Sequence, residues 1–206
     1  MWEDLLIRIP NAAKGRGQRG GGVLPNKTMD VGIAQGVINA IIDVWADGGT
    51  ASATRPRLRL AIRDQRLDVH AGSGEPDQPA SDMGFEIAHL RVSTHEQLVT
   101  LTSCARVLPE KEDWRAAAAL GIGAAIFSVV LQQSPADHIL GKHLVACANG
   151  PEYTISLGAG ALADILRDAP TVRQGLEQFE VCGATCKPGI LVVSARAIGA
   201  APANNR

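Results

Sequence analysis

GKHLVACANGPEYTISLGAGALADILRDAPTVRQGLEQFEVCGATCKPGILVVS, residues 141–194, is the stretch on which the reading of the chain turns. Two short apolar runs, 143–146 and 179–181, have the length and make-up of buried strands. Each ends at a cysteine, Cys147 and Cys182, with a glycine a few residues on. Between them, ISLGAGALADILRDAP places Leu157, Ala161, Leu162, Ile165 and Leu166 on one helical face and stops at Pro170. The spacing predicts two neighbouring strands joined by a helical crossover, an α/β arrangement. Both cysteines then sit at strand ends, where the loops of such sheets converge on sites.

The chain on the N-terminal side supplies the packing partners. AAAALGIGAAIFSVVL, 116–131, carries no charge, but it is shorter than the ~20 apolar residues a membrane span needs. Half of it is alanine and glycine, and it reads as a buried core helix within a helical segment from about 110 to 133. RPRLRLAIRD and the residues after it alternate: Leu58, Leu60, Ile62, then Leu67, Val69, Ala71 on one face, with arginines on the other. That period predicts a half-buried hairpin. GFEIAHLRVS predicts a third strand whose apolar phase slips between Ile87 and Leu90, as at a bulge. Thr94 to Gln97 fits a capping box and predicts a helix over 96–108. Residues 29–46 predict another helix. Ala34, Val37, Ile38, Ile41 and Trp45 line one face, Gln35, Asn39 and Asp43 another, and Gly48-Gly49 closes it.

Composition narrows the function. With 206 residues and 46% hydrophobic content the chain can bury a core, although aromatics are only 3%. A net charge of −1 excludes attraction to nucleic acid or membrane by the surface as a whole. Any such contact is local. One candidate is the arm NAAKGRGQRGGGVLP, where Lys14, Arg16 and Arg19 stand among glycines with no acid between Asp4 and Asp30. It reads either as a contact for phosphate or a partner subunit, or as a solvated flexible linker. The helix, three strands, helix order over 29–108 resembles a double-stranded-RNA-binding domain in topology. Where those domains carry a basic cluster, this chain has His95-Glu96-Gln97. The start of the chain lacks signal-peptide character, and four cysteines do not make a secreted disulfide framework, so a cytoplasmic location is expected. No P-loop, H-E-x-x-H, G-x-S-x-G or dinucleotide-binding glycine pattern stands in a suitable context.

Cysteine chemistry is the sharper signal. Thiolates are soft, charged donors that bind iron and zinc, and Cys182 and Cys186 have the C-x-x-x-C spacing that can place two sulfurs on one cluster. The same pair also suits thiol exchange, with Cys182 as nucleophile and Cys186 as resolving thiol. Buried packing of thiols as small hydrophobes is the ordinary alternative, and Cys104 reads that way.

GIGAAIFSVV, then GKHLVAC, a helix, FEVCGATC and ILVVS form a series that resembles the thioredoxin-like [2Fe-2S] ferredoxins, including the small iron–sulfur subunits of NADH and formate dehydrogenases. The resemblance covers about 75 residues. It implies Cys147, Cys182 and Cys186 as cluster ligands, with Glu152 where the family has its second cysteine. Patterning along the chain predicts an N-terminal segment (1–28) and an α-β-β-β-α unit with a three-stranded antiparallel sheet (29–108), and the resemblance implies a thioredoxin-like βαβ part after the helix of the remainder (109–206). Three functions follow as expectations. The first is a small redox or iron–sulfur-type electron-transfer subunit of a larger complex, with a [2Fe-2S] cluster or with the cluster lost. The second is an assembly-forming structural protein of coat or nucleocapsid type, a homo-oligomer whose basic arm meets neighbours or nucleic acid. The third is a thiol sulfur-transfer protein, since small DsrE-like sulfur carriers also end a strand in Cys-Gly.

Overall fold

Period-two alternation governs far more of the chain than any helical period, and the result is a sheet of nine strands. The computed structural model describes residues 28–47, 57–72, 81–104, 112–133, 143–158 and 160–198. The strands are β1 (Thr28–Ala34), β2 (Arg57–Arg63), β3 (Arg66–Gly72), β4 (Ser81–Val92), β5 (Gln97–Ser103), β6 (Leu144–Asn149), β7 (Glu152–Leu157), β8 (Phe179–Lys187) and β9 (Ile190–Ala197). The helices are α1 (Gln35–Asp47), α2 (Glu112–Val130), α3 (Ala161–Asp168) and α4 (Pro170–Gln178). All strand pairs are antiparallel, in the order β1-β9-β8-β4-β5-β7-β6. The β2–β3 hairpin joins through β3 to β4.

This overturns the α/β fold with a thioredoxin-like βαβ part. The strands bearing Cys147 and Cys182, β6 and β8, are not neighbours joined by a parallel crossover. A hairpin partner, β7, follows β6 directly, and β5 and β4 lie between β7 and β8. Three further segments expected as helix are strand. Residues 28–34 are strand, and helix α1 begins only at Gln35. QLVTLTS is strand β5, with Val99, Leu101 and Ser103 turned inward. EYTISL is strand β7, and the helix after it starts at Ala161. The expected hairpin at 58–71 is present, and β4 has a register shift between Ile87 and His89, where the slip of phase placed it.

One face of the sheet is buried. Leu60 faces Val69, Leu67 faces Phe85, Leu90 faces Val99 and Leu101 faces Tyr153 across successive ladders, and all eight side chains are buried. Phe85 and Tyr153 meet edge to face at 6.0 Å between centroids. Helices α1 and α2 cover this face, α1 over β2 and α2 over β6 and β7. Every residue of α2 from 118 to 128 is buried except the half-buried Leu120, as the charge-free sequence implied. Two glycines make that possible. A Cβ on Gly121 would stand 2.8 Å from Leu58 Cδ1, and one on Gly123 2.7 Å from Ile155 Cγ2. Among the described residues no helix is long and apolar enough to cross a membrane.

Strand β4 organises the sheet because two strands share its edge. β3 pairs with residues 81–85 and β8 meets it at Val92. β8 therefore ends where β3 begins, and the two hairpin turns are stitched together there. Gln65 N–H donates to Cys186 O (3.0 Å) and Gly189 N–H to Ile62 O (2.9 Å). Gly189, with φ of 75°, takes the left-handed position of the β8–β9 turn after Pro188.

Candidate functional site

The four thiols lie in four different settings. Cys147 is exposed on β6 and faces Thr154 of β7. Glu152 is two residues from Thr154 on the same strand, a diagonal neighbour of Cys147. Cys182 sits in a bulge of β8, exposed, with its thiol donating to Ser194 O at 3.5 Å. Cys186 is buried in the same strand, and burial pushes its thiol up to about 11. Cys104, just after β5, is exposed beside Glu86; burial of the sulfur and that carboxylate raise its pKa.

The geometry does not bring these donors together. β6 and β8 are four strand positions apart, about 19 Å at the ~4.8 Å spacing of neighbouring strands. Cys182 and Cys186 lie four residues apart on an extended strand, roughly 13 Å, and one is exposed while the other is buried. A disulfide needs Cα atoms within about 7 Å, so the pair does not reach that geometry in this strand. Cys147, Glu152, Cys182 and Cys186 thus do not fit a shared [2Fe-2S] cluster. Among the described residues no three of His, Cys, Asp or Glu form a group that could hold a metal ion. Lys14, Arg16 and Arg19, the expected nucleic-acid or partner contacts, lie outside the described residues.

Sheet edges carry the arrangement that stands out. The outer edge of β2 is sealed by α1, whose polar residues recur every fourth position. Gln35 Oε1 accepts from Ile62 N–H at 2.8 Å. The Asn39 amide both donates to Leu60 O and accepts from Leu60 N–H, each at 2.9 Å, as a neighbouring strand would. Asp43 pairs with Arg59 one step further along. An open strand edge is a template for another chain, and this one is closed by side chains and guarded by Arg57, Arg59 and Arg63.

The edge of β6 is treated in the opposite way. Its sequence, LVACAN, carries no charge and no proline. Among the described residues β6 pairs only with β7. The hydrogen-bond phase fixes which groups are free. Gly158 N–H donates to His143 O, and Ser103 N–H donates to Pro151 O across the next ladder. Bonded pairs alternate in an antiparallel ladder, so Val145, Cys147 and Asn149 bond to β7. The amides and carbonyls of Leu144, Ala146 and Ala148 consequently point away from it. Val145 is 53% exposed, the most exposed large apolar side chain among the described residues. The two-residue turn between Asn149 and Glu152 is Gly150-Pro151, and Gly150, with a φ of 61°, takes its positive-φ first central position.

A separate cleft of about 580 Å³ opens between the β4–β5 turn, the end of α4 and the start of β8. Glu180, only 13% exposed, holds Arg91 and Arg196 there, and Arg91 also reaches Glu96 at 3.2 Å. The Arg196 hydrogen bonds lower the Glu180 pKa, and Glu180 in turn raises that of Arg196. The charges of this cluster are thus used on one another. Comparison of the chain with models of protein families, with curated proteins and with solved structures finds no match.

Proposed function

We propose that this protein is an assembly-forming subunit whose contacts are made through the sheet edge at β6. A single contrast supports the reading. The same fold that seals the β2 edge with Gln35 and Asn39 of α1 leaves the β6 edge uncharged, with its outward amides and carbonyls unused by β7. Edge strands of monomeric proteins are ordinarily blunted by charge, proline, bulges or cover, and β6 has neither charge nor proline. Cys147 lies four strand positions from β8, and on β8 Cys182 is exposed while Cys186 is buried, so cluster chemistry and dithiol exchange lack geometric support and the sheet edge is the better-supported reading.

Sedimentation velocity over a wide range of protein concentration tests the proposal. The expected result is a concentration-dependent oligomer that Val145→Lys shifts to monomer, because the substitution puts a charge at the centre of the edge. Val145 is largely exposed, so the variant keeps its fold. A wild-type protein that stays monomeric at every concentration refutes the assembly function.

A further inference from the structure

We infer that the occupant of the β6 edge is β6 of a second copy, antiparallel about a two-fold axis normal to the sheet at Ala146. The inference rests on the assembly reading and specifies its partner and register.

Charge argues for self-pairing. A strand that pairs with itself about a two-fold meets its own side chains, so any charge it carries faces its like or lies close to it. β6 has none, whereas β1, at the far end of the sheet, carries Asp30, and β2 carries three arginines. The side chains of β6 are also small apart from Leu144, Val145 and Asn149, which lets two edges approach without steric conflict.

Register follows from the hydrogen-bond phase. Only Leu144, Ala146 and Ala148 present amides and carbonyls outward, so these must form the bonded pairs of a new ladder. Residues opposite each other in an antiparallel ladder share a face, which leaves a small set of alignments. Centring on Ala146 sets Ala146 against Ala146 of the second copy, and Leu144 against Ala148 in both directions. All three outward residues of each chain are then bonded. Centring on Cys147 would leave Leu144 outside the strand-to-strand ladder. In the Ala146 register Val145 faces Cys147 of the second copy as a close, non-bonded pair. The exposed valine is covered, and each sheet continues into the other with both helical layers on one side.

The test uses the full chain with Cys104→Ser and Cys182→Ser as background, since both thiols are exposed. Val145→Cys is added, and the protein is oxidised with diamide, which takes up the two electrons and two protons released by each disulfide. The expected product is a covalent dimer joining the introduced thiol to Cys147 of the other chain, shown by peptide mass on mixed heavy- and light-labelled protein. The background protein without V145C stays uncrosslinked. Cys147–Cys147 crosslinking in both proteins overturns the register. An oligomer by sedimentation that yields no crosslink at β6 overturns this inference and leaves the assembly reading standing, whereas a monomer removes both.

Ala146→Pro gives an independent reading. Its amide points away from β7, so proline there leaves the β6–β7 ladder intact and removes two hydrogen bonds from the dimer. Dimerisation weakened on the order of 30-fold, with the circular dichroism spectrum unchanged, is the expected result. Unchanged dimerisation overturns the inference.

Discussion

Gly123→Ala tests how closely α2 is seated on the sheet. The added Cβ would lie 2.7 Å from Ile155 Cγ2, 3.1 Å from its Cβ and 3.2 Å from its Cγ1. Ile155 is fully buried, and its Cβ is fixed by the β7 backbone, so the contact is not relieved by turning one side chain. Two terms oppose each other. Alanine in a helix interior is favoured over glycine by about 1 kcal/mol, and overpacking a dense core costs about 1–3 kcal/mol. Gly175→Ala separates them. Gly175 is exposed in α4 with nothing within 4 Å of an added Cβ, so that variant reports the propensity gain alone. Urea unfolding should show G175A more stable than wild type and G123A less stable than G175A by about 1–3 kcal/mol. Ile155→Ala removes two of the three close atoms. The double variant G123A/I155A should therefore be more stable than the sum of the single effects by about 1 kcal/mol or more. A G123A protein as stable as G175A, or strict additivity in the double variant, would refute the close seating of α2 on β7.

Asn39→Ala removes both surrogate strand bonds to Leu60 and should cost about 1–3 kcal/mol in urea unfolding, against less than about 1 kcal/mol for Asp43→Ala, whose ion pair is exposed. Iodoacetamide at mildly alkaline pH should label Cys104, Cys147 and Cys182 in the native protein and spare Cys186 until the chain unfolds, because Cys186 is buried with its thiol pushed up to about 11; mass spectrometry of the labelled peptides checks this. Glu180 has a folded pKa below its unfolded value. The stability it contributes is present in full above the ordinary glutamate range and is lost as pH falls through the lowered folded value. Glu180→Gln should therefore destabilise the protein at neutral pH, with the difference shrinking towards zero in acid; a difference constant with pH would contradict the Arg196 pairing.

The β2–β3 hairpin is legible because its alternation is strict and one face is wholly apolar, and the β4 bulge because the apolar phase breaks there. The sealing stripe was legible as a pattern too: Gln35, Asn39 and Asp43 recur on one helix face, but their partners on β2 become visible only once tertiary structure is known. β5 has the signature of a helix start because the capping chemistry near Thr94 is real but serves a turn. Ser93 Oγ accepts from the amides of His95 and Glu96, and Gln97 Nε2 returns to Ser93 O at 2.8 Å. Such side-chain bonds stabilise tight turns as readily as helix starts. In β7, ISL satisfies either period over so short a run, and pairing with β5 makes it strand. The cysteine motif was legible only as spacing. Whether C-x-x-x-C forms a turn or an extended strand depends on the partner β9, which holds residues 183–187 in register.

The pairing of β1 with β9 sets a timetable for synthesis. Asp30 on β1 accepts a hydrogen bond from Ser194 on β9 across 164 residues of chain. At roughly 5–20 residues per second, β1 emerges from the ribosome roughly 10–30 s before the strand that covers its edge. Hairpins β2–β3 and β6–β7 can close as soon as they are made, since their partners are adjacent. The last hairpin, β8–β9, must then slot between β1 and β4 to finish the sheet. Ile33, fully buried in the finished protein, has no completed ladder until then, so its apolar surface and the β1 edge stay uncovered by β9 over that interval.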